Sequence, residues 1–247
     1  MVLAWVQSMA HMVRGAIGDQ SMKLTLPVLL STTGGYTDTA GFLALQGLFT
    51  AHVTGNFVTL ASALVLGTSG VIAKLMALPV FCVIVLLTRF LSFQLPVMGL
   101  PGLRGLLSLK AMLLLVGAVL AIRYGPFASG DSGPAILTGM TLVCAMAIQN
   151  AVHRIHLASA PPTTLMTGTT TQIMIDLADL IRGAPTAAMD AIRLRLVRMV
   201  ASVSAFAAGC AVAALAYAFF GMWCFCVPPM LALWALIHRE SAALQER

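Results

Sequence analysis

Asp38 is the only charged side chain between Leu24 and Ala73, in a run otherwise apolar enough to enter a bilayer. A carboxylate at that depth costs roughly 2.5–3.5 kcal/mol even on lenient insertion scales. Its chemistry would be to bind a proton or cation, to touch a substrate, or to pair with a base or a helix end. His52 and His153 are the candidate partners. Two hydroxyl-rich stretches stand near these residues. Residues 50–56 read TAHVTGN and residues 163–169 read TTLMTGT. Gly55 and Gly168 permit a turn or a close backbone approach. Thr50, Thr54, Thr163, Thr164, Thr167 and Thr169 could satisfy N–H groups that a broken helix frees.

Helices restarting near Asn56 and Thr169 would each point about half a positive charge into the middle of the protein. Two such ends facing each other would line a polar chamber for a small polar or ionic solute. Thr and Gly also mark close helix–helix packing in membranes, so a packed interface is the competing reading. The candidate binding residues are Asp38, His52, Thr54, Gly55, Asn56, Gln149, Asn150, Thr167, Gly168 and Thr169, with the amides of Gln149 and Asn150 able to hold a ligand or to bridge helices. Asp176 and Asp179 lie one helical turn apart, with Arg182 a turn further on, which reads as an interfacial acidic–basic cluster.

Catalytic signatures are wanting. His153-Arg-Ile-His156 lacks the glutamate of a zinc protease helix, and no nucleophile elbow, phosphate loop or dinucleotide fingerprint occurs. The five cysteines sit in apolar runs and read as packing residues rather than metal ligands or disulfides. The expectation is a protein that is not an enzyme and has no cofactor and no metal.

The elements that must position these residues are transmembrane helices. Of 247 residues, 60% are hydrophobic and 9% charged, whereas a soluble domain is about 25% charged. Continuous rather than alternating apolar runs exclude a β-barrel. The fold class is all-α, a polytopic helical bundle whose main partner is the lipid bilayer. The net charge of +6 is scattered through short loops, as topology signals are, and does not point to nucleic acid. Self-association into a homo-oligomer is compatible with this composition.

Along the chain, residues 1–23 read as an interfacial helix or lead-in. The first repeat covers 24–130, the second 131–237, and a short tail 238–247. The first span, about 24–46, is expected to be interrupted at Gly34–Asp38, and the basic stretch from Arg182 to Arg198 to form an interfacial helix. Setting Thr50 on Thr163 brings Thr54 onto Thr167 and Gly55 onto Gly168, although Gln149-Asn150 then falls one position out of register with Thr37-Asp38. If both Thr-Gly segments dip in and return, only Lys74 and Arg123 lie outside. If both cross, Arg89, Arg104, Lys110 and Arg154 do. The positive-inside rule therefore favours about six full crossings plus two broken or re-entrant segments, with both termini cytoplasmic. Odd-numbered halves are inverted relative to each other, a common transporter plan.

Gly35-Tyr-Thr-Asp38-Thr-Ala-Gly, the Thr-Gly-Asn ending at Asn56, Gln149-Asn150 and the Thr-Gly of residues 167–168 together resemble the YoaK-like bacterial membrane proteins. The resemblance spans about residues 24–237. It implies a bacterial plasma-membrane protein of about six spans and little about substrate; the double Pro at 161–162 departs from the pattern. The functional expectation is a secondary transporter or channel. The reading from another class is a non-transporting subunit that packs against a membrane complex, which would have a dry interior and a fully paired Asp38.

Overall fold

The computed structural model describes residues 25–183 and 186–245, with positions 186–188 and 238–245 described by backbone alone. The interfacial helix expected over residues 1–23 lies outside them. The described chain is helical throughout: α1 (Leu26–Ala44), α2 (Gly55–Leu66), α3 (Val71–Val97), α4 (Gly102–Tyr124), α5 (Gly133–His156), α6 (Met166–Arg182), α7 (Thr186–Phe220), a 3-10 turn (Gly221–Cys226) and α8 (Val227–Gln245).

Helices α3, α4 and α5 are long and apolar enough to cross a membrane. So is the 49-residue stretch Met189–Ile237, which joins α7, the 3-10 turn and α8. At about 1.5 Å per residue that stretch can cross about 30 Å of hydrocarbon twice. Gly221, at φ +55°, marks the break within it. These are the marks of a multi-pass membrane protein. Large apolar side chains such as Val65, Leu86 and Phe219 face outward, as lipid-facing residues do.

Helix α1 differs from its neighbours. It carries Ser31, Thr33, Thr37 and Asp38, all buried, and so forms a polar centre inside an apolar bundle. The expected interruption at Gly34–Asp38 is not there: α1 is one continuous 19-residue helix. The glycines serve packing instead. A Cβ at Gly35 would strike the Phe206 carbonyl, and one at Gly209 would strike the Thr32 carbonyl. Helices α1 and α7 therefore touch backbone to backbone, and α7 is the most extensive partner of α1. They run parallel, because Ser31 meets Ser202 and Gly35 meets Phe206.

The basic stretch is likewise not a separate interfacial helix. Arg193, Arg195 and Arg198 lie on the first part of the 35-residue α7. Its helical pattern continues without a Gly or Pro stop into the apolar run.

The chain between α1 and α3 leaves and re-enters the bundle at one end. Gln46 (φ +56°) and Gly47 (φ +83°) reverse it. Gln46 Nε2 donates to the Phe127 carbonyl at 3.3 Å, and Gly130 N–H donates to Ser69 Oγ at 3.1 Å. The start of residues 45–54, the turn at 67–70 and the loop 125–132 thus share one end. Between them the chain dips beside α1 to the level of Asp38 and returns along α2, whose 12 residues are too few to cross a bilayer.

Residues 157–165 mirror this. Ser202 Oγ donates to the Pro162 carbonyl at 3.2 Å, and the Thr163 carbonyl faces Gly34. Helix α6 then runs back along α7, where Asp176 meets Arg195.

Candidate functional site around Asp38 and His52

The first dip breaks the helical ladder, and its freed backbone groups need partners. Two side chains supply them. Asp38 Oδ1 accepts the N–H groups of Thr50 and Ala51, each at 2.7 Å, and the Thr50 hydroxyl at 3.3 Å. Asn56 clamps Phe49 from the other side: Oδ1 accepts its N–H at 2.9 Å and Nδ2 donates to its carbonyl at 2.8 Å. The threonine caps expected at the helix start are absent. Thr54 makes no side-chain cap, and the carboxylate and the amide do that work. Helix α2 nevertheless restarts at Gly55, next to the expected Asn56. A Cβ at Gly55 would come 3.0 Å from the Phe49 ring, so this glycine lets the tip fold closely.

The second oxygen of Asp38 faces His52, with Oδ2 2.7 Å from Nδ1. Oδ1 is already filled by backbone donors, so Oδ2 is the oxygen left to meet the imidazole. Asp38 is 4% exposed, while the His52 side chain is 32% exposed. The histidine stands in front of the acid, facing a cleft of about 510 Å³. Asp38, His52, Thr54 and Gly55 line that cleft with Thr39, Phe42, Leu43, Phe49, Phe206 and Cys210. Phe49 and Phe206 flank the imidazole edge-on, with centroids at 6.3 and 5.4 Å. The arrangement sets a half-buried imidazole at the cleft with a buried carboxylate directly behind it.

Phe206 and Cys210 escaped the sequence reading. They stand in the featureless apolar run of α7 and reach the cleft only because Gly35 and Gly209 bring α7 against α1. His153, a proposed partner of Asp38, sits elsewhere: its Nε2 lies 3.0 Å from the Ala160 carbonyl.

The second dip repeats the device with neutral groups. Thr164 Oγ1 donates to Asn150 Oδ1 at 2.7 Å. Gln149 Nε2 donates to the Leu30 carbonyl at 2.9 Å and to Thr163 Oγ1 at 3.2 Å. Setting Asp38 on Asn150 brings His52 onto Thr164 and Thr37 onto Gln149, so the register is one residue from that given by the Thr-Gly pairs.

The helix after this dip begins at Met166, not Thr169. Thr167, Gly168 and Thr169 lie inside α6, where Thr169 Oγ1 bonds back to the Leu165 carbonyl at 3.1 Å. Thr167 lines a separate shallow groove on the outer side of α6, and a Cβ at Gly168 would meet nothing. The two Thr-Gly pairs therefore do not share a chamber. The tips of the two dips do approach each other on α1, at Gly34 and Asp38, about one helical turn apart. The acidic–basic cluster closes differently from expected: Asp176 takes Arg195 of α7 at 2.6 and 2.8 Å, and also Gln172 at 2.7 Å.

Residues 26–238 match the family described as Protein of unknown function (DUF1275). The chain belongs to the DUF1275 family. No curated protein and no solved structure matches it. The DUF1275 match runs from α1 into α8, so both dips and the Asp38–His52 cleft lie within it.

Proposed function

We propose that this DUF1275 chain is a secondary transporter of the bacterial plasma membrane for a small polar or ionic solute, with the Asp38–His52 pair carrying a coupled proton. The observation that carries the reading is a cleft in an apolar helical bundle that reaches a histidine backed by a carboxylate. In this mechanism His52 Nε2 takes a proton from the cleft, Asp38 stabilises the resulting imidazolium, and solute binding favours one protonation state over the other. No bond of the solute is broken; the chain acts as a carrier rather than an enzyme.

Topology supports it. Helices α1, α3, α4, α5, α7 and α8 would cross, and the segments at 45–66 and 157–182 would dip from opposite faces. Packing exchanges between the halves: α1 lies on α7 and α5 on α3, while α2 lies on α3 and α6 on α7. Such matched pairings are what two related halves produce, and dips entering from opposite faces are what inversion would add. Lys74 and Arg123 stand at the end where the first dip enters, whereas Arg89, Arg104, Arg154 and Arg182 stand at the other. The positive-inside rule makes the second end cytoplasmic, along with both termini.

One observation favours the non-transporting subunit: both oxygens of Asp38 are already engaged. Thr54→Cys in a background without the other cysteines separates the two. In a transporter a membrane-impermeant thiol reagent labels Cys at this position, and solute protects it. A cleft sealed by a partner leaves it inert, and inertness in the isolated chain as well sinks the transport reading.

A further inference from the structure

We propose that a monovalent hard cation of about sodium size binds where α1 meets α5, held by Thr37 Oγ1, Gln149 Oε1 and the main-chain carbonyl of Thr163. This rests on the transport reading and adds a second coupling ion beside the proton of His52, although binding at equilibrium does not itself require transport.

Among the described residues, Thr37 Oγ1 and Gln149 Oε1 are buried side-chain oxygens with no hydrogen-bond partner. Both residues are 0% exposed. They are also the pair that coincides when Asp38 is set on Asn150, so the same vacant acceptor recurs at matching places on the two polar helices. Leaving such groups unmet is costly, and native proteins rarely do so.

Neither atom is idle by accident of rotamer. Thr32 and Thr33, one turn back on α1, donate to the carbonyls of Val28 and Leu29 at 3.0 and 2.8 Å. Thr37 forgoes that bond. The Gln149 amide is fixed in its orientation, because both Nε2 protons are spent on Leu30 O and Thr163 Oγ1. Turning the amide over would set its oxygen against the Leu30 carbonyl.

Gln149 and the tip of the second dip both meet α1 within one turn of Thr37. A Cβ at Gly34 would lie 2.9 Å from the Thr163 carbonyl oxygen and 3.3 Å from Gln149 Nε2. Thr37 follows Gly34 by one turn on the same helix face, where side chains are about 5–6 Å apart. The missing side chain of Gly34 lets the second dip bring the Thr163 carbonyl and Gln149 against α1.

The donor set selects the ligand. It is hydroxyl, amide and peptide oxygen, which suits hard cations and not the softer metals that histidine and cysteine bind. It holds no carboxylate, so nothing in it offsets a double charge in a low-dielectric interior. Asp38, the residue after Thr37, supplies one nearby negative charge. Unwound-backbone carbonyls beside polar side chains are the usual cradle of a coupling ion at a broken helix.

The test is equilibrium binding of radioactive sodium to the full chain in lipid nanodiscs, in choline buffer. Saturable binding of one ion per chain is expected, displaced by unlabelled sodium. Thr37→Ser should retain it, and Thr37→Val should weaken it at least tenfold. Thr37→Val removes only an unpartnered hydroxyl, so it should melt in choline no lower than the native chain while losing the rise in Tm that sodium gives. No saturable binding in the native chain, or undiminished binding in Thr37→Val, overturns the proposal and leaves a buried water as the partner of these oxygens. Sodium binding without any solute uptake leaves the site standing and removes the transport reading. Proton-linked uptake in a chain that binds no sodium does the reverse.

Discussion

Asp38 does two jobs with two oxygens. One holds the first dip by its backbone, and the other meets Nδ1 of His52. Substitutions should separate the jobs. His52→Gln leaves the backbone donors of Thr50 and Ala51 with their acceptor, so the chain should fold with an unchanged Tm and lose proton-linked uptake in reconstituted vesicles. Asp38→Asn keeps an acceptor for the dip but loses the charge that balances an imidazolium. It should abolish uptake as well and also destabilise by about 1–3 kcal/mol, the usual cost of weakening buried hydrogen bonds to a charged group. Uptake that survives His52→Gln would show that the histidine carries no proton.

Elements set where these residues can stand, and two contacts matter most. The first is the α1–α7 seam. Gly209 lies under the Thr32 carbonyl, a backbone atom that cannot swing aside, so Gly209→Val should cost several kcal/mol by analogy with overpacked cores. Gly168, in contrast, sits on α6 with open space about it, and Gly168→Ala should stabilise the chain by up to about 1 kcal/mol through helix propensity. Thermal unfolding of the two variants checks both, and a destabilised Gly168→Ala would show that the glycine is needed as a break after all.

The second contact is Asp131, whose carboxylate accepts the N–H groups of Gly70, Val71, Ile72 and Ala73 at the start of α3. Partial burial alone would raise its pKa, but these four donors outweigh it and hold the acid below the usual carboxylate range. A depressed pKa in the folded chain means that its stabilisation is complete above the ordinary value, about 4, and is lost as pH falls through the lower folded value. Asp131→Asn should therefore cost about 1 kcal/mol at neutral pH, the size of a lost helix cap. The gap from the native chain should narrow as pH falls below the ordinary carboxylate value, measured as Tm against pH.

At the scale of the molecule, topology reporters give the sharpest outcome. Fusions at Ser69 and Ser129 should both report the outside, and one at Gly183 the cytoplasm. Opposite sides for Ser69 and Gln46 would mean that α2 crosses. Much of this plan was legible from hydropathy and turn residues: the spans of α3, α4 and α5, the loop after Tyr124, and the break at Gly221. The buried acid and the Thr-Gly-Asn tip were legible too, because a charge and a polar cluster in an apolar run stand out. What misled was glycine. At Gly34 and Gly35 it was read as a helix break and proves to be a packing surface; at Gly168 it lies within a helix that starts two residues earlier. Sequence cannot tell these apart, since the absence of a Cβ serves a turn and a close contact equally.

Composition alone determined that the solvent is lipid, that the chain is helical and that Asp38 needed a partner, because these follow from the cost of polar groups in hydrocarbon whatever the arrangement. Only the tertiary structure decided that the partner is His52 together with the backbone of its own dip, that Phe206 and Cys210 join the cleft from α7, and that Thr167–Thr169 stand apart from it. Those outcomes depend on which helices touch and in what register, and that is set by packing between residues far apart in the chain rather than by any local pattern.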